Sequence, residues 1–367
     1  MDGLFQFADD LGPEKVIGIH EPRLGLRAIL VIDNTAAGPA AGGCRMAPDV
    51  TLEECARLAR AMTLKNAAAG LAHGGAKSVI VGDPKMPAER KETIVRAMAH
   101  AIRDVRDYIM GPDMGLDERA MAWVHDEIGR AVGLPRELGG IPLDEIGATG
   151  FGLAIAAEVA QDFCDVRLAG ARVAIQGFGA VGKHAARFLA ERGATLVAAC
   201  DTAGTIANDK GLDVRALTAL KEQGRSVTDY PHGTRKEREA IVAIDCDIWI
   251  PAARPDAITT ANVDSLRAKL VLQGANIPAS AEAEARMHKR AILSVPDFIA
   301  NAGGVICAAV EYKGGTESLA FDIIERKIRE NTRAVLEAAR ERKVAPRQAA
   351  LDLARRRVSA AMSYRRF

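Results

Sequence analysis

Apolar residues recur with two different periods in the first part of the chain. The apolar runs VIGIH and LRAILVID, within residues 16–33, are typical of two paired strands. The Gly-rich segment at residues 38–43 is predicted to be a loop. A helix is predicted from Thr51, because Thr51 and Glu54 have capping-box spacing and apolar side chains then recur at helical intervals.

One more strand and one more helix are predicted before residue 112. A Gly-rich turn follows the first helix, and Lys77 is predicted to stand immediately before the apolar strand SVIVGD. The next helix is predicted to bury a stripe from Ile94 to Tyr108. It should stop before Gly111 and Pro112, since proline ends helices.

From about residue 150, short apolar strands alternate with helices, which favours a parallel sheet of β-α-β units. The candidate strands are RVAIQ, TLVAAC, CDIWI, KLVLQ and AILSVP. After Gly314 the pattern becomes helical. The sequence therefore predicts an α/β protein with two domains, residues 1–147 and 148–319, and helices in 320–367 that pack back on the first domain.

Composition narrows the class of partner. The 367 residues carry 49 Lys and Arg against 48 Asp and Glu, so the net charge of +1 favours neither nucleic acid nor an acidic membrane. The six cysteines show no metal-ligand spacing, and no metal site is expected. No run reaches 18 apolar residues, and the amino terminus lacks a targeting pattern, so a cytoplasmic protein with a small-molecule substrate is expected.

A G-x-G-x-x-G motif directly follows the strand RVAIQ and opens a helix. Such glycines let a dinucleotide pyrophosphate approach the helix N-terminus. Asp201 ends the next strand, where a carboxylate accepts ribose hydroxyls and repels a 2′-phosphate, which favours NAD over NADP. A β-α turn without a ligand is the alternative. The predicted pyrophosphate segment comprises Gly177, Phe178, Gly179, Ala180, Val181 and Gly182.

Two lysines, Lys65 and Lys77, flank the Gly-rich segment AAAGLAHGGA, which is able to fold tightly. A neighbouring cation and partial burial both lower a lysine's pKa, so that the amine can serve as a base. Asp113, in GPDMG, would supply a carboxylate for proton transfer. The alternatives are solvated surface lysines and an ordinary turn aspartate.

Six segments follow one another along the chain: PAAGGCRM (39–46), AMTLKNAAAGLAHGGAKSVI (61–80), GPDMG (111–115), ATGFG (148–152), IQGFGAVG (175–182) and PDFIANAGGV (296–305). In these segments the chain resembles the glutamate, leucine, phenylalanine and valine dehydrogenases. The resemblance implies a substrate and oligomerisation domain, a Rossmann domain for NAD with a cleft between the two, and a homo-oligomer. It also implies reversible oxidative deamination of an L-amino acid to its 2-oxo acid and ammonia.

The resemblance also implies residue roles. Lys65 would bind the substrate α-carboxylate, Lys77 would be the acid/base that activates water, and Asp113 would handle the amino-group proton. The nicotinamide end would be lined by Thr149, Ala252, Asn276 and Asn301. The implied substrate-binding set is Lys65, Ala41, Gly42, Gly111, Asn301 and Ala308.

The substrate side chain is expected to be apolar. The glutamate branch typically has a lysine at the position of Ala41 and a serine at that of Ala308, and small residues here leave volume for Phe, Leu or Val. The substrate-side segments are therefore expected to lie nearer the leucine and phenylalanine branch. Two alternatives stay open. One is a glutamate dehydrogenase, from the similarity of ATGFG, CDTAGTI and CDIWIPAA, and the other is a non-catalytic dinucleotide-binding regulatory protein.

Overall fold

The computed structural model describes residues 4–366, which fall into two compact units. The first unit comprises the described residues up to Pro142, with 305–320 and those from Leu351 onward. The second comprises 143–304 and 321–350. The chain therefore passes between the units several times rather than once.

The first unit is built on a five-stranded mixed sheet. β1 and β2 form an antiparallel hairpin, as predicted from their apolar runs, and β2 pairs antiparallel with β4. β3 lies parallel to both β4 and β5. The strand order is β1-β2-β4-β3-β5, with bounds β1 Lys15–Glu21, β2 Leu26–Asn34, β3 Ala40–Ala47, β4 Gly74–Val81 and β5 Tyr108–Gly111.

Helices cover both faces of this sheet: α1 (Leu52–Ala68), α2 (Ala88–Ala101) and α3 (Glu118–Ile128). The Thr51 side chain accepts from the Glu54 N–H, which confirms the predicted start of α1. One face of the sheet buries the larger apolar cluster with α2 and α3. The other face packs against α1 through a smaller cluster.

Three elements differ from the sequence prediction. The segment at 38–43 is not all loop, because β3 begins at Ala40 and its small residues let the backbone pair closely on both sides. Lys77 lies inside β4 rather than before it, since pairing with β2 and β3 extends that strand back to Gly74. Tyr108 belongs to β5, because α2 already ends at Ala101.

The second unit holds a seven-stranded sheet in the order β12-β11-β10-β6-β7-β8-β9. β6, β7, β10, β11 and β12 are the five predicted strands, and their mutual pairings are parallel, while β8 and β9 extend one edge antiparallel. This is a Rossmann-like order, with the direction of winding reversing at β6. The bounds are β6 Arg172–Gln176, β7 Thr195–Asp201, β8 Gly204–Ala207, β9 Thr234–Lys236, β10 Ile248–Pro251, β11 Leu270–Leu272 and β12 Leu293–Val295.

The remaining helices complete the chain: α4 Leu143–Ile146, α5 Ala148–Ala160, α6 Ala180–Ala190, α7 Val214–Glu222, α8 Ala281–Lys289, α9 Asp297–Ala300, α10 Gly303–Tyr312, α11 Glu317–Arg342 and α12 Pro346–Met362. Among residues 4–366, no helix is both long and apolar enough to cross a membrane. The same residues contain no cluster of His, Cys, Asp and Glu with the arrangement of a metal site.

The C-terminal helices do not all belong to the first unit, although 320–367 was predicted to pack back on the first domain. Residues 321–350 group with the second unit, where Arg329 of α11 pairs with Glu158 of α5 at 2.5 Å. Arg347 likewise pairs with Glu284 at 2.6 Å and Asp297 at 2.9 Å. Only the part of α12 from Leu351 onward lies with the first unit.

Candidate active site

Lys77, Gly43 and Gly111 form one row across three neighbouring strands of the first unit. The register that pairs Cys44 with Ser78 places Gly43 beside Lys77, and Gly43 pairs directly with Gly111. A methyl group at Gly43 would lie 3.3 Å from Lys77 Nζ and 2.7 Å from the Pro112 carbonyl oxygen. Gly43 therefore lets the lysine amine and the Pro112–Asp113 backbone approach the strand closely.

Lys77 Nζ donates to Asp113 Oδ2, and the two side chains form a partly buried ion pair. Arg45, two residues after Gly43 on β3, donates from Nη2 to the other carboxylate oxygen of Asp113 at 3.3 Å. Its Nη1 reaches Glu54 of α1 at 2.5 Å. The Asp113 carboxylate is thus shared between two cations, one on each of its oxygens.

Burial lowers the pKa of Lys77 to about 8, and the nearby charges of Arg45 and Lys65 act in the same direction. The Asp113 carboxylate opposes this shift, since it favours the ammonium form. Lys77 is only 6% exposed. A lysine in this condition is a base near neutral pH, which a surface lysine is not.

Lys65 lies in the last turn of α1 and is half-buried. Asn66, the next residue, ties this end of the helix to the sheet by donating to the Gly74 carbonyl at 2.7 Å and the Ala41 carbonyl at 3.3 Å. Arg357 of α12 donates to the Ala68 carbonyl at 2.7 Å. These bonds hold the end of α1 that carries Lys65 against the strands that carry Ala41 and Lys77.

Of the predicted side-chain pocket residues, Ala41 and Gly111 lie on the lysine's face of the sheet. Ala41 is half-buried on β3, two residues before Gly43, and a methyl group at Gly111 would contact Val132 at 3.4 Å. Gly42 faces the other way, where a methyl group would lie 1.7 Å from the Ala76 carbonyl oxygen. Ala308 is half-buried on α10.

Sequence reasoning missed three residues here: Gly43, Arg45 and Asn66. The glycine pair in AAGGCR was visible, yet which glycine faces Lys77 depends on the strand register. Arg45 and Asn66 act across sequence separations of 68 and 25 residues. No local pattern identifies such contacts.

The glycines of the second unit differ in what surrounds them. Gly177 has φ +94°, and a side chain there would lie 2.7 Å from Ala253. A side chain at Gly182 would lie 2.0 Å from the Gly177 carbonyl oxygen, so this glycine lets α6 pack on the turn. Gly179, the N-cap of α6, has nothing within 4 Å of that position. The space left at Gly179 fits a pyrophosphate at the helix N-terminus.

Phe178 is buried within this turn, while Ala180, Val181 and Gly182 form the first turn of α6. Ala252 follows β10, the strand beside β6, and its N–H donates to the Gln176 carbonyl at 2.7 Å. Ala252 and the glycine turn therefore stand at adjacent carboxyl ends of parallel strands. Dinucleotides bind at this kind of position in Rossmann folds.

Asn301 fixes the segment after β11. Its Nδ2 lies 3.1 Å from Asn276 Oδ1 and 3.3 Å from the carbonyl oxygens of Gly274 and Ala275. Its Oδ1 is buried and accepts from no described residue. Thr149 sits at the start of α5, where Gly304 leaves room for its hydroxyl. The unpartnered Asn301 oxygen fits the amide N–H group of a nicotinamide.

Both oxygens of the Asp201 carboxylate already accept hydrogen bonds. Oδ1 accepts from Ala203 N–H at 3.0 Å and Ser226 Oγ at 2.9 Å, and Oδ2 accepts from Lys221 Nζ at 2.8 Å and Val227 N–H at 2.9 Å. Burial alone would raise the pKa of Asp201, but these donors outweigh it and lower the pKa. The contact with ribose hydroxyls stays a prediction, and it requires exchange of at least one donor.

Two family models match most of the chain. Residues 13–130 match the model of the Glu/Leu/Phe/Val dehydrogenase dimerisation domain, and residues 139–366 match that of glutamate/leucine/phenylalanine/valine dehydrogenase. The chain belongs to the glutamate/leucine/phenylalanine/valine dehydrogenase family. It is therefore an amino acid dehydrogenase that uses NAD or NADP, and its dimerisation domain indicates a homo-oligomer.

Relatives in this family are named as glutamate dehydrogenases. The enzyme of Aeropyrum pernix is 37% identical over 83% of this chain and 77% of its own. The NADP-specific enzyme of Saccharolobus shibatae is 38% identical over 76% of this chain and 69% of its own. The NAD-specific enzyme A of Halobacterium salinarum is 35% identical over 89% of this chain and 79% of its own. These relatives of the whole chain are glutamate dehydrogenases and not members of the leucine and phenylalanine branch, while the nearness of the substrate-side segments to that branch stays a prediction.

Solved structures of the family share the fold. The hetero-hexameric glutamate dehydrogenase of Thermus thermophilus, in its Leu-bound form, matches with a TM-score of 0.84 and 29% identity over 95% of this chain and 89% of its own. The L-tryptophan dehydrogenase of Nostoc punctiforme matches with a TM-score of 0.75 and 27% identity over 96% and 98%. The same architecture thus occurs in enzymes named for an acidic and for an aromatic amino acid.

Proposed function

We propose that this dehydrogenase uses NAD to deaminate an L-amino acid with an apolar side chain, of the Phe, Leu or Val kind, to the 2-oxo acid and ammonia. The observation that carries the chemistry is the buried Lys77, with a pKa of about 8, in contact with Asp113 beside two glycines. A base and a carboxylate meet at a strand row whose glycines let them approach closely. The intact arrangement argues against a non-catalytic regulatory protein.

Each side chain has a separate task in this proposal. Lys65 binds the α-carboxylate of the substrate, because it is a cation at the end of a helix held against the strands. Asp113 takes a proton from the substrate ammonium, after which the Cα–H bond breaks and an imine forms. Lys77 then deprotonates the water that attacks the imine carbon, and ammonia leaves.

When bound, the nicotinamide supplies the hydride acceptor. The chain's own contribution is a turn that admits the pyrophosphate at Gly179 and an acceptor, Asn301 Oδ1, for the carboxamide. For the ribose, Ser226 Oγ and Lys221 Nζ are side-chain donors that can rotate away from Asp201, whereas the backbone N–H groups cannot. We expect the ribose hydroxyls of NAD to replace these side-chain donors at Asp201.

Only a few residues select the substrate side chain. Overall sequence identity and the residues of the pocket can therefore indicate different substrates. Identity favours glutamate, the second candidate, because the named relatives at 34–38% are glutamate dehydrogenases. The local chemistry favours an apolar side chain. Ala41, Gly111 and Ala308 offer no cation or hydroxyl, and a buried carboxylate without a partner costs several kcal/mol.

The test is an assay of NAD and NADP reduction by the purified protein with each of the twenty L-amino acids. We expect kcat/KM for Phe, Leu or Val to exceed that for Glu, and NAD to exceed NADP. If Glu is the best substrate, the proposal of an apolar substrate is wrong and the glutamate alternative stands. The absence of reduction with every amino acid would overturn the enzymatic proposal.

A further inference from the structure

Glu311, near the end of α10, is buried and accepts hydrogen bonds from three backbone N–H groups of the first unit. Its Oε1 accepts from Gly133 at 2.7 Å and Leu134 at 3.1 Å, and its Oε2 accepts from Ile141 at 2.9 Å. The side chain is 8% exposed. One carboxylate thus ties both ends of the 133–141 segment to the helix.

The two residues just before the tied segment, Ala131 and Val132, lie beside the end of β5, the strand that leads to Asp113. Val132 N–H donates to the Met110 carbonyl at 2.9 Å, so this stretch runs alongside β5. The Val132 side chain stands 3.4 Å from where a methyl group at Gly111 would be. Val132 therefore packs directly beside Gly111.

Gly133 makes the second contact with that strand end. It has φ +73°, and a side chain there would lie 2.7 Å from Pro112 Cδ. Pro112 immediately precedes Asp113, and its carbonyl oxygen faces Gly43. A displacement of Gly133 would therefore reach the residue beside the Asp113 carboxylate through one van der Waals contact.

We propose that Glu311 is a positioning residue, which holds Gly133 against Pro112 and so sets the distance between Asp113 and Lys77. This inference rests on the proposed role of Asp113. Ala308 lies one helical turn before Glu311 on α10, so one helix carries both a predicted pocket residue and the carboxylate that anchors the 133–141 segment.

Substitution of Glu311 by glutamine or leucine removes different numbers of its hydrogen bonds. The glutamine carbonyl oxygen can still accept from Gly133 and Leu134, but its NH₂ group would face the Ile141 N–H, and two donors repel. Leucine has a similar size and accepts from none of the three. We expect Glu311→Gln to lower kcat about tenfold and Glu311→Leu about 100-fold, because a catalytic group displaced by about 1 Å loses roughly that much rate.

Glu317→Gln is the matched control. Glu317 also contacts the segment, but through an exposed pair with Arg136 at 3.7 Å. We expect wild-type kinetics from this variant. Gly133→Ala is a second probe that leaves Glu311 intact and pushes on Pro112 directly, and we expect it to lower kcat as Glu311→Leu does.

The decisive measurements are kcat, the pH dependence of kcat/KM, and the Kd of NADH, made with the full-length protein well below its Tm. In the Glu311 variants we expect the rise in kcat/KM near pH 8 to move, because the distance to Asp113 affects the pKa of Lys77, while the NADH Kd stays within about twofold. A loss of folding alone would not move the pH profile of the remaining active molecules.

Asp113→Asn distinguishes a failure of the inference about Glu311 from a failure of the proposed function. If Asp113→Asn is inactive while both Glu311 variants and Gly133→Ala keep wild-type kcat and pH profile, the inference about Glu311 is overturned and the proposed function stands. If Asp113→Asn retains full activity, the role of Asp113 fails and the inference fails with it. Reduced kcat with a shifted pH profile in Glu311→Gln supports the inference even if Glu311→Leu does not fold.

Discussion

Lys77 of β4 and Asp113, two residues beyond the end of β5, are in direct contact although β3 lies between their strands. The contact forms across Gly43, whose lack of a side chain leaves the path between the two groups clear. A base and a carboxylate placed in this way can act on the same substrate atom or on neighbouring ones.

Removal of the amine should stop turnover without affecting cofactor binding. We expect Lys77→Ala to lower kcat by about 10²- to 10⁴-fold, the usual effect of losing a general base, and to leave the NADH Kd nearly unchanged. Lys65→Ala should instead raise KM, since Lys65 binds the carboxylate. Steady-state kinetics and a fluorescence titration of NADH separate these effects. Activity within about tenfold of wild type in Lys77→Ala would refute its assignment.

The lowered pKa of Lys77 also predicts how stability depends on pH. Between the folded value of about 8 and the ordinary 10.5, the unfolded chain binds more protons at this lysine than the folded chain does. The free energy of unfolding should therefore rise with pH in this window, by at most about 1.4 kcal/mol per unit, relative to Lys77→Met. Urea unfolding of both proteins at pH 7, 8, 9 and 10 measures the difference. Parallel curves would show that the folded pKa is ordinary.

The close packing at Gly43 can be tested with a single methyl group. Gly43→Ala should lower kcat by about tenfold or more, because the new methyl group would lie 2.7 Å from the Pro112 carbonyl and 3.3 Å from Lys77 Nζ, and must displace one of them. Gly18→Ala on β1 is the control, since nothing lies within 4 Å of that position. Equal kinetics in the two variants would contradict the strand-row geometry.

Cofactor choice should depend on the balance of charge at Asp201. Lys221 partly neutralises this carboxylate at 2.8 Å. We therefore expect Lys221→Met to increase the preference for NAD over NADP and Asp201→Asn to decrease it, because a 2′-phosphate is repelled by the bare carboxylate. Kd values for NADH and NADPH, with kcat/KM for both oxidised cofactors, test this. An unmodified protein that already prefers NADP would contradict the proposal for NAD.

The sequence predicted the second unit better than the first. Five of its strands could be predicted, because strands of a buried parallel sheet are short apolar runs that the local sequence reveals. β3 was missed because AAGGC carries little apolar signal, and its strand character comes from pairing with β4 and β5. The four donors to Asp201 could not be predicted either, because three of them lie 20 to 26 residues away along the chain.

Discrimination against glutamate should depend on the absence of a cation from the side-chain pocket, and one substitution tests this. Ala41→Lys introduces on β3 the lysine that the glutamate branch typically has at this position. Ala41→Met is the control, because it adds a long side chain without a charge. The measurement is the ratio of kcat/KM for Phe to that for Glu in wild type and both variants. We predict a wild-type ratio above one, a fall of about tenfold or more in Ala41→Lys, and no comparable fall in Ala41→Met. A wild-type ratio below one, or an unchanged ratio in Ala41→Lys, would show that the pocket does not select an apolar side chain.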